Sequence, residues 1–177
     1  MAEYATLVRS RLSAKERAEV QRVNGLAREL VEHLDSSIDL IAALHIHGAQ
    51  SRAIQGTVGE LLERRLGFGS ELVLSPQDGL VTRARPDFFF PLGPGRGIVA
   101  EVERGGTTAN NHDLKDVWKA HIAVNAQHLF LVVPLELHNQ SGGVRERPYP
   151  KVVRRIGAFF GDPRREIDVL SAHVFGY

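Results

Sequence analysis

The chain contains no cysteine. Disulfides and thiolate-held metals are therefore excluded, and the absence fits a reducing compartment. Long hydrophobic runs are also missing: none approaches the ~20 apolar residues that cross a bilayer as a helix. Met1-Ala2-Glu3-Tyr4 lacks the basic start and apolar core of a signal peptide, so a cytoplasmic protein with no membrane partner is expected. A large excess of charge is lacking too. The formal net charge is +1, so any contact with nucleic acid must rest on local basic patches. No internal repeat, low-complexity tract or long linker divides the sequence. What remains is 177 residues, 43% hydrophobic and 24% charged, enough for one globular core with an appendage.

Two apolar segments stand out. Asp87-Phe88-Phe89-Phe90 and Ile98-Val99-Ala100-Glu101-Val102-Glu103 read as strands, joined through Gly93-Pro94-Gly95-Arg96-Gly97 as a hairpin. Alternation along a strand sends Glu101 and Glu103 to one face and Ala100 and Val102 to the other, and puts Asp87 with Phe89. If the hairpin sets Asp87 beside Glu101, three carboxylates converge, and oxygen donors of that kind suit a hard ion such as Mg²⁺. The same spacing also describes acidic residues on a solvated face of an antiparallel pair.

Around this hairpin the periodicity alternates between helical and extended. Residues 4–34 read as helix, with Ser13 and Glu16 at capping-box spacing, and a more apolar helix follows the break at Asp35-Ser36-Ser37. This N-terminal stretch reads as a helical appendage spanning residues 1–50, ahead of an α/β core spanning 51–177. Residues 53–66 form a helix ended by Gly67, and 71–74 a short strand. Thr107 or Thr108 through Asn110 offer an N-cap for a helix over 112–123, which carries Leu114, Val117, Trp118, His121 and Ile122. Residues 127–133 are continuously apolar, as in a strand buried on both faces after a parallel crossover. Residues 135–150 read as loop, 151–160 as a short helix and 167–175 as a last strand. Arg145, Arg147, Lys151, Arg154 and Arg155 form a basic cluster that suits either phosphates or solvent. His45, His47, His112 and His121 lack partners at metal-ligand spacing and are expected to be surface or hydrogen-bonded histidines.

A Pro86-Asp87 pair opening one strand, a turn, a strand carrying Glu101-x-Glu103, then a Gly/Thr/Asn segment opening a helix resembles the PD-(D/E)xK nuclease superfamily. More narrowly it resembles the E-x-E variants among restriction endonucleases, in which Glu103 stands where a Lys is usual. The resemblance covers residues 56–134. It implies a restriction endonuclease-like core of order α-β-β-β-α-β, with a mixed central sheet flanked by helices. It also implies a Mg²⁺-dependent deoxyribonuclease, with Mn²⁺ able to substitute, acting on DNA. Asp87, Glu101 and the backbone carbonyl of Val102 would hold the ion. Glu60, on the preceding helix, is similar to a metal-holding Glu of that family. Glu103 would act as general base or take a second metal.

The positive charge missing at residue 103 has candidate sources in Lys115 and Lys119, four apart on one face of the following helix. The same two lysines can instead pair with Asp116 or point to solvent. Thr107, Thr108, Asn110 and Asn111 sit where phosphates meet a helix N-terminus, and His112 can join them as a proton donor. Cutting both strands would require a homodimer. A catalytically inactive, DNA-binding or assembly module of the same fold is the alternative.

Overall fold

The computed structural model describes residues 1–44, 51–70 and 85–177. The sequence signals at 71–84, including the strand expected at 71–74, and at His45 and His47 lie outside the described residues. The elements are β1 (Glu3–Val8), α1 (Ala14–Ser36), α2 (Ile38–Leu44), α3 (Ser51–Glu60) with a π-helical turn (Leu61–Leu66), β2 (Gly69–Ser70), β3 (Phe88–Gly93), β4 (Arg96–Val102), α4 (His112–Ile122), β5 (His128–Val133), β6 (Leu137–His138), β7 (Val144–Glu146), α5 (Pro148–Gly157) and β8 (Ser171–Gly176).

Six strands form one mixed sheet in the order β1-β8-β5-β4-β3-β2. The β3–β4 hairpin is antiparallel, with Phe88 opposite Ala100 and Phe90 opposite Ile98. β4, β5 and β8 run parallel. Each parallel step is a crossover through a helix, first α4 and then α5, as parallel strands require. Both helices lie on one face. Val117 and Ala120 of α4 and Val152 and Ile156 of α5 share a core with Val99, Leu129, Leu131 and Val174. On the opposite face Val23, Ala27, Leu30 and Leu34 of α1, and Ile54 and Val58 of α3, cover Ile98, Ala100, Val102, Phe130 and Phe175. The sheet is therefore sandwiched between two helical layers, which is why the strand over 128–133 is apolar throughout and fully buried.

Several local expectations change. The helix expected from residue 4 begins only at Ala14, capped by Ser13 in the reciprocal box with Glu16. Residues 3–8 are instead an edge strand antiparallel to β8, with Tyr4 stacked on Phe175. Tyr, Thr and Val are strand formers, and a partner at the far end of the chain decides the outcome. Within 135–150, read as loop, β6 and β7 make a small separate hairpin. The helix expected at 151 starts at Pro148, a residue suited to a first turn because it has no N–H to leave unpaired. The last strand begins at Ser171 rather than at 167. None of the helices among the described residues is long and apolar enough to cross a membrane.

Candidate active site

The β3–β4 ladder ends at Phe88 and Ala100, and the side chains of the next pair continue it. The Val102 N–H donates to Asp87 Oδ2 at 3.0 Å, and the Asp87 N–H reaches Glu101 Oε2 at 3.3 Å. Asp87 and Glu101 are thus stitched to each other's strands, as the hairpin reading requires. Glu101 and Glu103 both face α4, whereas Ala100 and Val102 enter the opposite core.

Glu101 is 2% exposed. Lys119 donates to its Oε1 at 2.9 Å and to Asp116 Oδ1 at 2.9 Å, so one ammonium bridges two buried carboxylates. Burial, then the neighbouring Asp116 charge, raises the Glu101 pKa to about 8, against the pull of Lys119. Asp116 is raised for the same leading reason, burial. Burial works against the Lys119 ammonium, but Asp116 and Glu101 outweigh it and hold its pKa above the ordinary lysine value. Both carboxyls are pushed toward the protonated form, because two full charges in this pocket exceed what one lysine balances.

Asp116 is 1% exposed, and its Oδ2 has no hydrogen-bond partner. It is the member of this buried cluster that sequence reading missed, having entered only as a helix partner for the lysines. A signal was present. Asp113, Asp116, Val117 and Ala120 follow i, i+3, i+4, i+7 spacing, and all four are buried. Half of the core-facing stripe of α4 is acidic. The stripe expected from the apolar residues is correspondingly displaced: Trp118 is 49% exposed.

Glu103 turns away from that pair. Its Oε2 lies 2.9 Å from His112 Nδ1, its N–H donates to Val132 O at 2.8 Å, and its own carbonyl accepts from the Tyr177 hydroxyl at 3.0 Å. Lys115, one turn before Lys119, is exposed and forms no ion pair with a described residue. Glu60 ends α3, largely exposed and paired with Arg64 at 2.7 Å. Glu60 and Asp87 line one cleft of about 570 Å³, with Gly59, Glu63, Arg64 and Arg85.

The strand-to-helix connection is held by side chains. Asn111, not Thr107, Thr108 or Asn110, is the N-cap; it is left-handed at φ 55° and its side chain makes no cap bond. The reason is Arg155, which donates to Thr108 O at 3.0 Å and to Asn111 Oδ1 at 2.5 Å and pairs with Asp113. The Thr108 hydroxyl donates to Glu146. Three members of the basic cluster are thereby neutralised: Arg147 by Glu136, Lys151 by Glu146 and Arg155 by Asp113, leaving Arg145 and Arg154 exposed. His121 accepts the Asp168 N–H.

Among the described residues, no three acidic or imidazole groups stand together as a cage for an ion. The donor chemistry nevertheless suits one. Asp87 and Glu101 offer hard carboxylate oxygens on adjacent strands, with Asp87 opening onto the cleft, and Mg²⁺ characteristically takes one or two carboxylates plus water. No family model matches the chain, and no curated protein matches it as a relative.

Proposed function

We propose that this chain is a metal-dependent DNA endonuclease with a PD-(D/E)xK, restriction endonuclease-like core. The observation that carries the reading is the pairing of Asp87 with Glu101 across the end of a hairpin, with the Lys119 ammonium on Glu101. The mixed sheet, with α4 crossing from the Glu101 strand to its parallel neighbour, supports this reading.

Asp87, Glu101 and the Val102 carbonyl are the residues that would hold Mg²⁺ or Mn²⁺. Glu60 lines the same cleft as Asp87 and, once released by Arg64, would offer a further acidic oxygen. Such an ion supplies Lewis-acid stabilisation of charge on the phosphate and favours ionisation of water. The chain's own residues do the remainder. Lys119 replaces the positive charge absent at residue 103, Asp116 holds it there, and the cleft beside Asp87 admits the phosphodiester. Cutting both strands of DNA would take a two-fold dimer, each protomer supplying one such site.

The test is cleavage of supercoiled plasmid with Mg²⁺ or Mn²⁺ against EDTA. Wild type is expected to nick in a metal-dependent way, and Glu101→Ala to lose about 10²–10³-fold or more of that activity. No metal-dependent cleavage by wild type, or equal cleavage by the variant, rejects the reading.

A second reading is favoured by one observation: Lys119 already bridges Glu101 and Asp116, so both carboxyls have a counter-charge without an ion. On it, the chain is a catalytically inactive member of the same fold that binds DNA or assembles with other proteins. Calorimetry separates the two. Mn²⁺ binding that disappears in Asp87→Ala supports the enzyme, and no binding by wild type supports the inactive module.

A further inference from the structure

Resting on that nuclease reading, we propose that His112 takes the proton from the attacking water and that Glu103 is its positioning residue.

His112 is the first residue of α4, directly after the left-handed Asn111 that Arg155 clamps, so the ring is delivered over the end of β4. Its Nδ1 lies 2.9 Å from Glu103 Oε2. A carboxylate can only accept, so the hydrogen resides on Nδ1 and leaves Nε2 of the neutral ring as a bare acceptor. Nε2 bonds no described residue, and the side chain is 35% exposed, so a water or a substrate oxygen can reach it.

Glu103 is held from three sides, through its N–H, its carbonyl and its carboxylate. The proton acceptor is therefore oriented by a group that is itself fixed, the arrangement that general-base catalysis by histidine needs. Position completes the case. His112 and Lys119 are two turns apart on one side of α4, ~10.5 Å along its axis. They bracket Glu103 and Glu101, alternate residues of one strand about 6.6 Å apart. The cation serves Glu101 at one end of the site, and the base stands on Glu103 at the other.

The step balances without a co-reactant. A water O–H bond breaks, its proton passes to His112 Nε2, and the electron pair left on oxygen forms the new O–P bond. The P–O bond to the leaving oxygen breaks with its pair, and that oxygen takes a proton from the imidazolium or from solvent. Glu103 stabilises the imidazolium while it exists. The carboxylate at residue 103, where a lysine is usual, is thereby explained as the anchor of a histidine.

The experiment compares metal-dependent plasmid nicking by wild type, His112→Ala, His112→Gln and Glu103→Gln, each checked for an unchanged melting temperature. His112→Ala and His112→Gln are expected to fall about 10²–10⁴-fold, with added imidazole restoring part of the activity of the alanine variant. Glu103→Gln is expected to lose less. A readout independent of turnover is the ¹⁵N spectrum of His112. It should report the Nδ1–H tautomer in wild type and a mixture in Glu103→Gln, and an Nε2–H tautomer in wild type overturns the dyad. A wild type that does not cleave overturns the nuclease reading and this inference with it. A wild type that cleaves beside an equally active His112→Ala overturns the inference alone.

Discussion

Lys119 Nζ lies 2.9 Å from Glu101 Oε1 and equally far from Asp116 Oδ1, so the cation at this hairpin comes from the helix that follows it. Removing the ammonium leaves two buried carboxylates with no counter-charge. Lys119→Met keeps the aliphatic stem and should still destabilise the fold by about 3 kcal/mol, the low end for breaking a buried pair because Lys119 is partly exposed. Urea melts check this. The double variant Lys119→Met with Asp116→Asn should recover part of the loss, and no recovery would mean that the two residues are not coupled.

The same cluster sets a pH dependence. Glu101 is raised in the folded state from 4.5 to about 8, first by burial and then by Asp116. Between those values the folded chain holds a proton that the unfolded chain has released, so stability falls as pH rises through the interval. Glu101→Gln removes the charge to be buried. Its melting temperature should exceed that of wild type at about pH 9 and converge with it toward about pH 5. A gap of constant size across that range would show that Glu101 does not titrate as described. The gain, at the cost of the proposed site, is the usual trade between stability and function.

What could be read in the sequence was what local periodicity decides. Ser13 and Glu16 announce their helix start, the apolar run at 128–133 is a doubly covered strand, and Glu101 and Glu103 share a face because strands alternate. What escaped depends on distant partners. Residues 3–8 are a strand only because β8, more than 160 residues later, offers an edge. Asn111 is left-handed because Arg155, on another helix, grips it. Asp116 went unrecognised because an acidic residue on a helix is ordinarily solvated, and nothing local says that its face is turned to the sheet.

Two glycines make opposite predictions. A Cβ on Gly97 would stand 2.2 Å from the Phe89 ring and 2.7 Å from the Phe90 carbonyl oxygen, and backbone cannot step aside. Gly97→Ala should cost about 1–3 kcal/mol. Gly25 lies within α1 with open space where its Cβ would be. Gly25→Ala should stabilise by about 0.5–1 kcal/mol, since helix formation favours Ala over Gly by that amount. Thermal melts of the two variants should move in opposite directions, and a neutral Gly97→Ala would mean that Phe89 has another rotamer to adopt.

Ser171 joins two buried histidines. Its hydroxyl lies 2.7 Å from His128 Nδ1 and 2.8 Å from His173 Nε2, and one hydroxyl hydrogen can serve only one of them. The ends of the chain fix which. Glu19, gripped by Arg96 through two bonds, accepts from His128 Nε2–H, so His128 Nδ1 is bare and takes the Ser171 hydrogen. Ser171 then accepts from His173 Nε2–H, and His173 Nδ1 accepts from the Tyr4 hydroxyl. Both rings are neutral Nε2–H tautomers, and the bonds run one way from β1 to Glu19. Burial, and then the neighbouring His128, depresses the His173 pKa from 6.5 to about 3, and burial likewise lowers His128 against the pull of Glu19. Below 6.5 the unfolded chain takes up protons that the folded one refuses, so stability should fall as pH drops toward 3, the reverse of the Glu101 effect. The two windows overlap between 4.5 and 6.5, where the histidines and Glu101 pull in opposite directions. Above 6.5 only the Glu101 loss remains, so the most stable pH should lie no higher than about 6.5. Ser171→Ala leaves His128 Nδ1 and His173 Nε2 unpaired inside the fold and should cost about 2–4 kcal/mol. Two ¹⁵N-labelled imidazoles reporting Nε2–H at neutral pH support this order of bonds, and a cationic ring at either position would overturn it.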